Sequence, residues 1–219
     1  MNARRIWGQL SAGLLIAAVC VLPATADELT FYATDDTFID EWAPNEVRGD
    51  WDYMYVRNTG NGPWEHDTLV RFDISSIPPG TEIPSATLNL YYFRWDDNYP
   101  GGRPLRCRRV TSDWDEETVT WNTRPGWSSI ITDEVPVPPA YGWMSWNVTD
   151  DVQAFVDGTE EDFGWVIRDE TYWPGGNIPW IKFRTKEYGE VIPYLEVVPE
   201  PGTLALLLLG SLVMLNRRR

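Results

Sequence analysis

Apolar and polar residues alternate with period two along much of the chain between residues 27 and 198. Val70, Phe72 and Ile74 alternate with Leu69, Arg71 and Asp73; Leu88, Leu90 and Tyr92 with Asn89, Tyr91 and Phe93; Met144, Trp146 and Val148 with Trp143, Ser145 and Asn147. Successive side chains of a strand point to opposite faces, so each stretch predicts a half-buried β-strand. The stretches "LTFYA", "YMYVR", "TVTW", "GWVIR", "WIKFR" and "YLEVV" predict further strands, separated by the turn-rich "SSIPPGTEIPS", "NYPGGRP" and "YWPGGNIP". One helix is predicted in "TDDVQAFVDG": Thr149 or Asp150 caps it, Val152, Phe155 and Val156 share a face, and Gly158 offers a left-handed stop. Many short strands between Gly/Pro turns predict an all-β fold, a jelly-roll-like β-sandwich with one short helix covering an edge. Residues 27–198 suffice for one such domain with a real core.

The two ends break this pattern. Arg4 and Arg5 precede an apolar stretch that finishes in Ala24-Thr25-Ala26, which predicts a secretory signal peptide over 1–26 and removes Cys20 with it. At the other end, thirteen residues from Thr203 to Leu215 form a Leu-rich run between Pro199-Glu200-Pro201 and Arg217-Arg218-Arg219. That run is shorter than the roughly 20 residues that span a bilayer comfortably, and the flanking arginines favour the cytoplasmic side. A transient stay in the inner membrane is therefore expected for residues 199–219. The order of these features resembles the PEP-CTERM sorting signal. The resemblance implies processing by an exosortase-type membrane protease in a Gram-negative bacterium and delivery to the cell surface or extracellular matrix.

The middle also resembles a family. "LVRFDISSIPPGTEIPSATLNLYYF", "RVTSDWDEETVTWNTRP", "WMSWNVTDDVQAFVDG", "FGWVIRDE", "IKFRTKE" and "PYLEVV" follow in the order seen in DNRLRE-type domains. Those domains are similar to carbohydrate-binding modules of polysaccharide lyases and to disaggregatase-related proteins. The resemblance implies a polysaccharide or exopolysaccharide matrix as partner. The segment "EWAPNEVRGDWDYMYVRNTGNGPWEHD" departs from the family pattern with additional tryptophans.

Charge narrows the partners. Residues 27–198 hold 13 of the 18 basic and 32 of the 33 acidic residues, a net −19, which repels nucleic acid. Catalysis finds little support: the sole histidine, His66, lies in the turn-like "GPWEHDT" and is expected to be solvated, and no nucleophile set can be built around it. Paired carboxylates serving glycoside hydrolysis remain an alternative function, and a structural or adhesive matrix role without sugar affinity is another. Hard carboxylate oxygens suit calcium, with Asp35, Asp36, Asp50 and Asp52 as candidate ligands of a structural Ca²⁺. Cys107, the cysteine left after export, alternates with Leu105 and is expected to be a buried hydrophobe.

Twelve of the thirteen tryptophans lie beyond the signal peptide. Trp114, Trp121, Trp146 and Trp165 read as core or core-edge residues. Trp42, Trp51, Trp64, Trp95, Trp127, Trp173 and Trp180 lie among Gly, Pro, Asp and Asn. Exposed aromatic faces suit sugars, whose C–H bonds stack on a π-surface while neighbouring polar groups bond the hydroxyls. The candidates are Trp95, Tyr99, Tyr172 and Trp173, then Trp51 and Trp64. Arg106 and Arg108 share a strand face and form a candidate clamp for uronic acid carboxylates; balancing the many acids is the competing role.

Overall fold

The computed structural model describes residues 27–58, 62–172 and 178–200. The predicted signal peptide, Trp173, Pro201, the apolar tail and Arg217–Arg219 lie outside the described residues. Among the described residues, no helix is long and apolar enough to cross a membrane.

The strands are β1 (Leu29–Asp40), β2 (Tyr53–Val56), β3 (His66–Phe72), β4 (Ser85–Asp96), β5 (Pro104–Arg109), β6 (Asp133–Pro136), β7 (Gly142–Asn147), β8 (Trp165–Arg168), β9 (Trp180–Arg184) and β10 (Tyr194–Val198), with a helix α1 (Thr149–Val156) and a 3₁₀ turn at Lys186–Tyr188. All pairings are antiparallel. In one sheet β4 takes β7 on one edge and β10 and β9 end to end on the other. β10 then pairs with the first part of β1, and β9 with β2. The second sheet runs from the latter part of β1 through β3, β8 and β5 to β6. β1 passes between the sheets at a bulge between Ala33 and Asp35, where one extra residue bends the strand.

The predicted alternation places the core. Leu88, Leu90 and Tyr92 of β4, and Met144 and Trp146 of β7, face Val70, Phe72, Leu105, Cys107, Trp165 and Ile167 of the opposite sheet. Val152, Phe155 and Val156 of α1 join this core, as the helical spacing requires. Gly158 takes the left-handed conformation (φ 67°) that ends the helix. The cap differs from expectation: Val148 is the N-cap residue, and the Asn147 side chain accepts the Thr149 N–H at 3.0 Å. Thr149 instead uses its hydroxyl to accept the Ala86 N–H at 2.9 Å, tying the helix to β4.

Two further expectations change. "TVTW" forms turns rather than a strand. Its segment lies over the outer face of the second sheet, where Val110, Trp114 and Val119 pack on Ile39, Leu69 and Val166 in a separate apolar cluster. A strand pattern there signals burial on one face without ladder pairing. His66 is buried at 1% exposure rather than solvated. Its Nε2 lies 2.9 Å from Asp40 Oδ1 and its Nδ1 2.8 Å from the Trp64 carbonyl oxygen. Burial pushes the Asp40 carboxyl up, but His66 and Arg48 outweigh it and hold Asp40 well below the usual carboxylate range.

Cys107 is fully buried, and that burial raises its thiol well above the usual value. The thiolate is the reactive form. An aromatic disulfide reagent at pH 8 should therefore leave native protein unmodified over the time in which urea-unfolded protein reacts completely.

Candidate functional site

Three loops meet at one end of the sandwich through their described residues: 57–58 with 62–65, 97–103, and 169–172 with 178–179. Asn58 Nδ2 donates to the Asp169 carbonyl at 2.7 Å, and Arg103 pairs with Asp169 at 2.6 Å while reaching the Thr171 carbonyl at 2.9 Å. Arg57 lies 3.8 Å from Asp97, whose carboxylate accepts the Trp180 Nε1–H at 2.8 Å. Burial lowers the Arg57 guanidinium, with Asp97 opposing. Asp97 itself sits at φ 66°, a left-handed position that aspartate tolerates better than most residues.

Aromatic rings line this end. Arg57 stands 4.1 Å from the Trp180 ring centre and 5.3 Å from that of Trp64. Trp64 in turn stacks on Trp42 at 4.3 Å and 5°. Trp95 meets Tyr99 edge to face at 5.7 Å. Glycines make room for two of these rings: a Cβ on Gly62 would come within 2.6 Å of Trp64 Nε1, and one on Gly101 within 2.3 Å of the Tyr99 ring. Trp42, Tyr99 and Tyr172 are 61%, 52% and 73% exposed.

Of the sugar-contacting candidates, Trp64, Tyr99 and Tyr172 lie on these loops and Trp95 near the end of β4, just before one of them. Trp51 does not: it is half-buried, edge-on to Phe38 at 5.5 Å, with the Arg48 guanidinium 4.8 Å from its ring centre. Trp42, Trp180, Arg57 and Asp97 complete the cluster without having been selected from sequence. Trp42 and Trp180 carried the same flanking polar and turn residues as the chosen tryptophans, so that signal was present.

Arg106 and Arg108 do share the outer face of β5, but their donors are engaged by the chain itself. Arg106 bonds Glu134 at 2.7 Å and Glu170 at 2.9 Å; Arg108 makes two bonds to Glu170, at 2.7 and 2.8 Å, and a third to the Ser129 carbonyl at 2.6 Å. This geometry is the charge-balancing role, not an open clamp. Glu170 is accordingly held down to about 2, first by Arg108, with burial opposing and Arg106 assisting.

The four aspartates separate. Asp35 pairs with Arg71 at 3.0 Å and Asp52 with Arg184 at 3.3 Å. Asp36 is fully buried beside Glu116 and Glu187, and Asp50 borders the depression that those glutamates line.

A second aromatic surface escaped the sequence reading. On the outer face of the first sheet, Trp143 contacts Tyr91 at 5.2 Å and Tyr194 at 4.8 Å, both edge to face, and Tyr32 projects nearby at 62% exposure. Trp143 sits at a polar-facing position of a regular strand, so alternation assigned it to solvent without assigning it a task.

A β-sandwich that presents aromatic rings beside a few fixed polar groups has the build of a sugar-binding module. The comparisons agree: the model of carbohydrate-binding module family 96 matches residues 27–199, and that of the PEP-CTERM protein-sorting motif matches residues 197–219. The chain belongs to carbohydrate-binding module family 96, and its C-terminal motif marks it for export and sorting to the cell surface. No curated protein matches it.

Proposed function

We propose that this chain binds glycans without transforming them, at the end of the sandwich formed by residues 57–58, 62–65, 97–103 and 169–172, on the surface of a Gram-negative bacterium. The observation that carries this reading is the exposure of Trp42, Tyr99 and Tyr172 around the fixed Arg57–Asp97–Trp180 group. Stacking supplies area, and Asp97, with 41% of its side chain exposed, supplies an acceptor for sugar hydroxyls. A non-catalytic role is supported by the state of two groups of neighbouring acids: Glu65, Asp67 and Glu170 all bind Arg168, and Asp36, Glu116 and Glu187 all face Lys186. An ion pair holds them as partners of a cation, not as a free acid and base. The net −19 and the engagement of Arg106 and Arg108 favour an uncharged glycan over a polyuronate. An exosortase-type protease processes the tail, and the exopolysaccharide matrix is the partner of the folded body.

The outer face of the first sheet is a second reading of the same function. Val191, beside Trp143 and Tyr194, holds φ 46°, a strained position for a β-branched residue, and such strain gathers at binding sites. A glycan array probed with the purified protein, carrying neutral and uronate polymers, tests the function itself. Saturable binding to a neutral class is expected; absence of binding on every class would replace this reading with a structural or adhesive matrix role.

A further inference from the structure

Four elements converge at the depression beside β1. Asp36 follows the β1 bulge, Glu116 lies in the segment covering the second sheet, Glu187 lies in the 3₁₀ turn, and Gly49 and Asp50 come from the loop before β2. One carboxylate oxygen from each of Asp36, Glu116 and Glu187 lies within 4.8 Å of the other two. Gly49 approaches so closely that a Cβ there would lie 2.5 Å from the Glu116 carbonyl oxygen.

An acidic cluster alone is no site, but Asp36 adds a separate observation. It is fully buried, its Oδ2 accepts the Lys186 backbone N–H at 2.9 Å, and its Oδ1 has no hydrogen-bond donor. That Oδ1 faces the Lys186 ammonium at 4.0 Å, beyond hydrogen-bond reach, while the ammonium contacts Glu116 and Glu187. A buried carboxylate oxygen left without a donor is costly unless a cation serves it.

Charge points the same way. Among the described residues, Lys186 is the cation paired with Asp36, Glu116 and Glu187, so three carboxylates meet one ammonium. Asp50 and Glu117 line the same depression and add further negative charge. A single ammonium leaves this group of carboxylates with excess negative charge that a divalent ion would neutralise.

We infer that Asp36, Glu116 and Glu187 form a calcium site, with Asp50 at its rim and the Lys186 ammonium as the competitor that the ion displaces. Calcium suits the set because its oxygens stand about 2.3–2.6 Å from the ion, so ligands may lie up to about 5.2 Å apart, whereas magnesium demands about 2.0–2.1 Å and an ideal octahedron. The ion ties the segment carrying Glu116 and the turn carrying Glu187 to β1, and so stabilises the fold without entering the sugar site. The inference does not depend on which glycan binds, or on whether any does.

Calorimetric titration of the chelator-stripped protein with calcium chloride, and with magnesium chloride as comparison, tests it. One calcium per chain is expected, with a melting temperature raised by roughly 5–10 °C once calcium exceeds its Kd about 100-fold. Glu187→Gln should weaken calcium binding at least tenfold. Lys186→Met should tighten it at least tenfold, because the competing ammonium is gone. A purely structural lysine-centred cluster would instead make Lys186→Met less stable, with no gain in calcium affinity. That outcome, or wild-type protein giving neither heat nor melting shift with calcium, overturns the site.

Discussion

Arg168→Ala is expected to destabilise the fold by about 3–5 kcal/mol, the cost typical of breaking a buried ion pair by removing one partner. Arg168 lies on the outer face of β8, covered by Trp127 at 4.4 Å, and binds Glu65, Asp67 at 2.9 Å and Glu170 at 3.1 Å. Asp67 is 1% exposed, and its second oxygen already lacks a donor. Without the arginine, a carboxylate would remain buried with no cation. Urea denaturation at pH 7 measures the loss; a change under about 1 kcal/mol, the usual value of an exposed pair, would show that Arg168 acts as a surface charge.

The pH dependence gives the same cluster a signed test. Burial pushes Asp67 up against the pull of Arg168, so its folded-state value lies above its unfolded one. Such a group favours the fold at low pH and loses that contribution as pH rises. Removing Arg168 enlarges the upward shift, so the penalty of Arg168→Ala should be smaller at pH 5 than at pH 8. Glu170 has the opposite sign. Its folded value of about 2 lies below the usual glutamate range, so it stabilises the fold at neutral pH, and that contribution fades as pH falls from about 4.3 toward 2. Wild-type stability should decline across that window, and Glu170→Gln should flatten the decline.

How far such features were legible follows from what local pattern encodes. Period two placed Leu88, Leu90 and Tyr92 inward, and helical spacing placed Val152, Phe155 and Val156, because burial on one face leaves a periodic trace. The covering segment around Trp114 was misread because one buried face is all that alternation reports; whether the backbone joins a ladder depends on a partner strand. The site was half legible. Turn residues around Trp64, Trp95, Tyr99 and Tyr172 marked rings held outside the core. Their company with Arg57, Asp97 and Trp180 arises from three loops far apart in the chain. Asp36 was visible as an acid, but Glu116 and Glu187 are 80 and 151 residues beyond it, and only the fold brings them within a metal's reach.

Replacing Trp42 and Tyr99 together with alanine is expected to weaken glycan binding 10- to 100-fold, about 1.4–2.8 kcal/mol, the loss typical of aromatic residues that dominate a binding surface. Both rings are more than half exposed, at 61% and 52%, so removing them opens no core cavity and the melting temperature should hold. The loss stops short of abolition because Trp64, now bare, still offers a ring 4.3 Å deeper, fixed by the Arg57 guanidinium. Titration followed by tryptophan fluorescence gives the Kd, and Trp143→Ala on the outer sheet face serves as the paired comparison. If the loop end is the site, Trp143→Ala leaves the Kd within about twofold, since it lies on a different surface and binding energy concentrates in a few contacts. If Trp143→Ala instead carries the loss and the double variant binds normally, the glycan lies across Tyr32, Tyr91 and Tyr194. The rigid sheet, rather than the three converging loops, would then set the specificity.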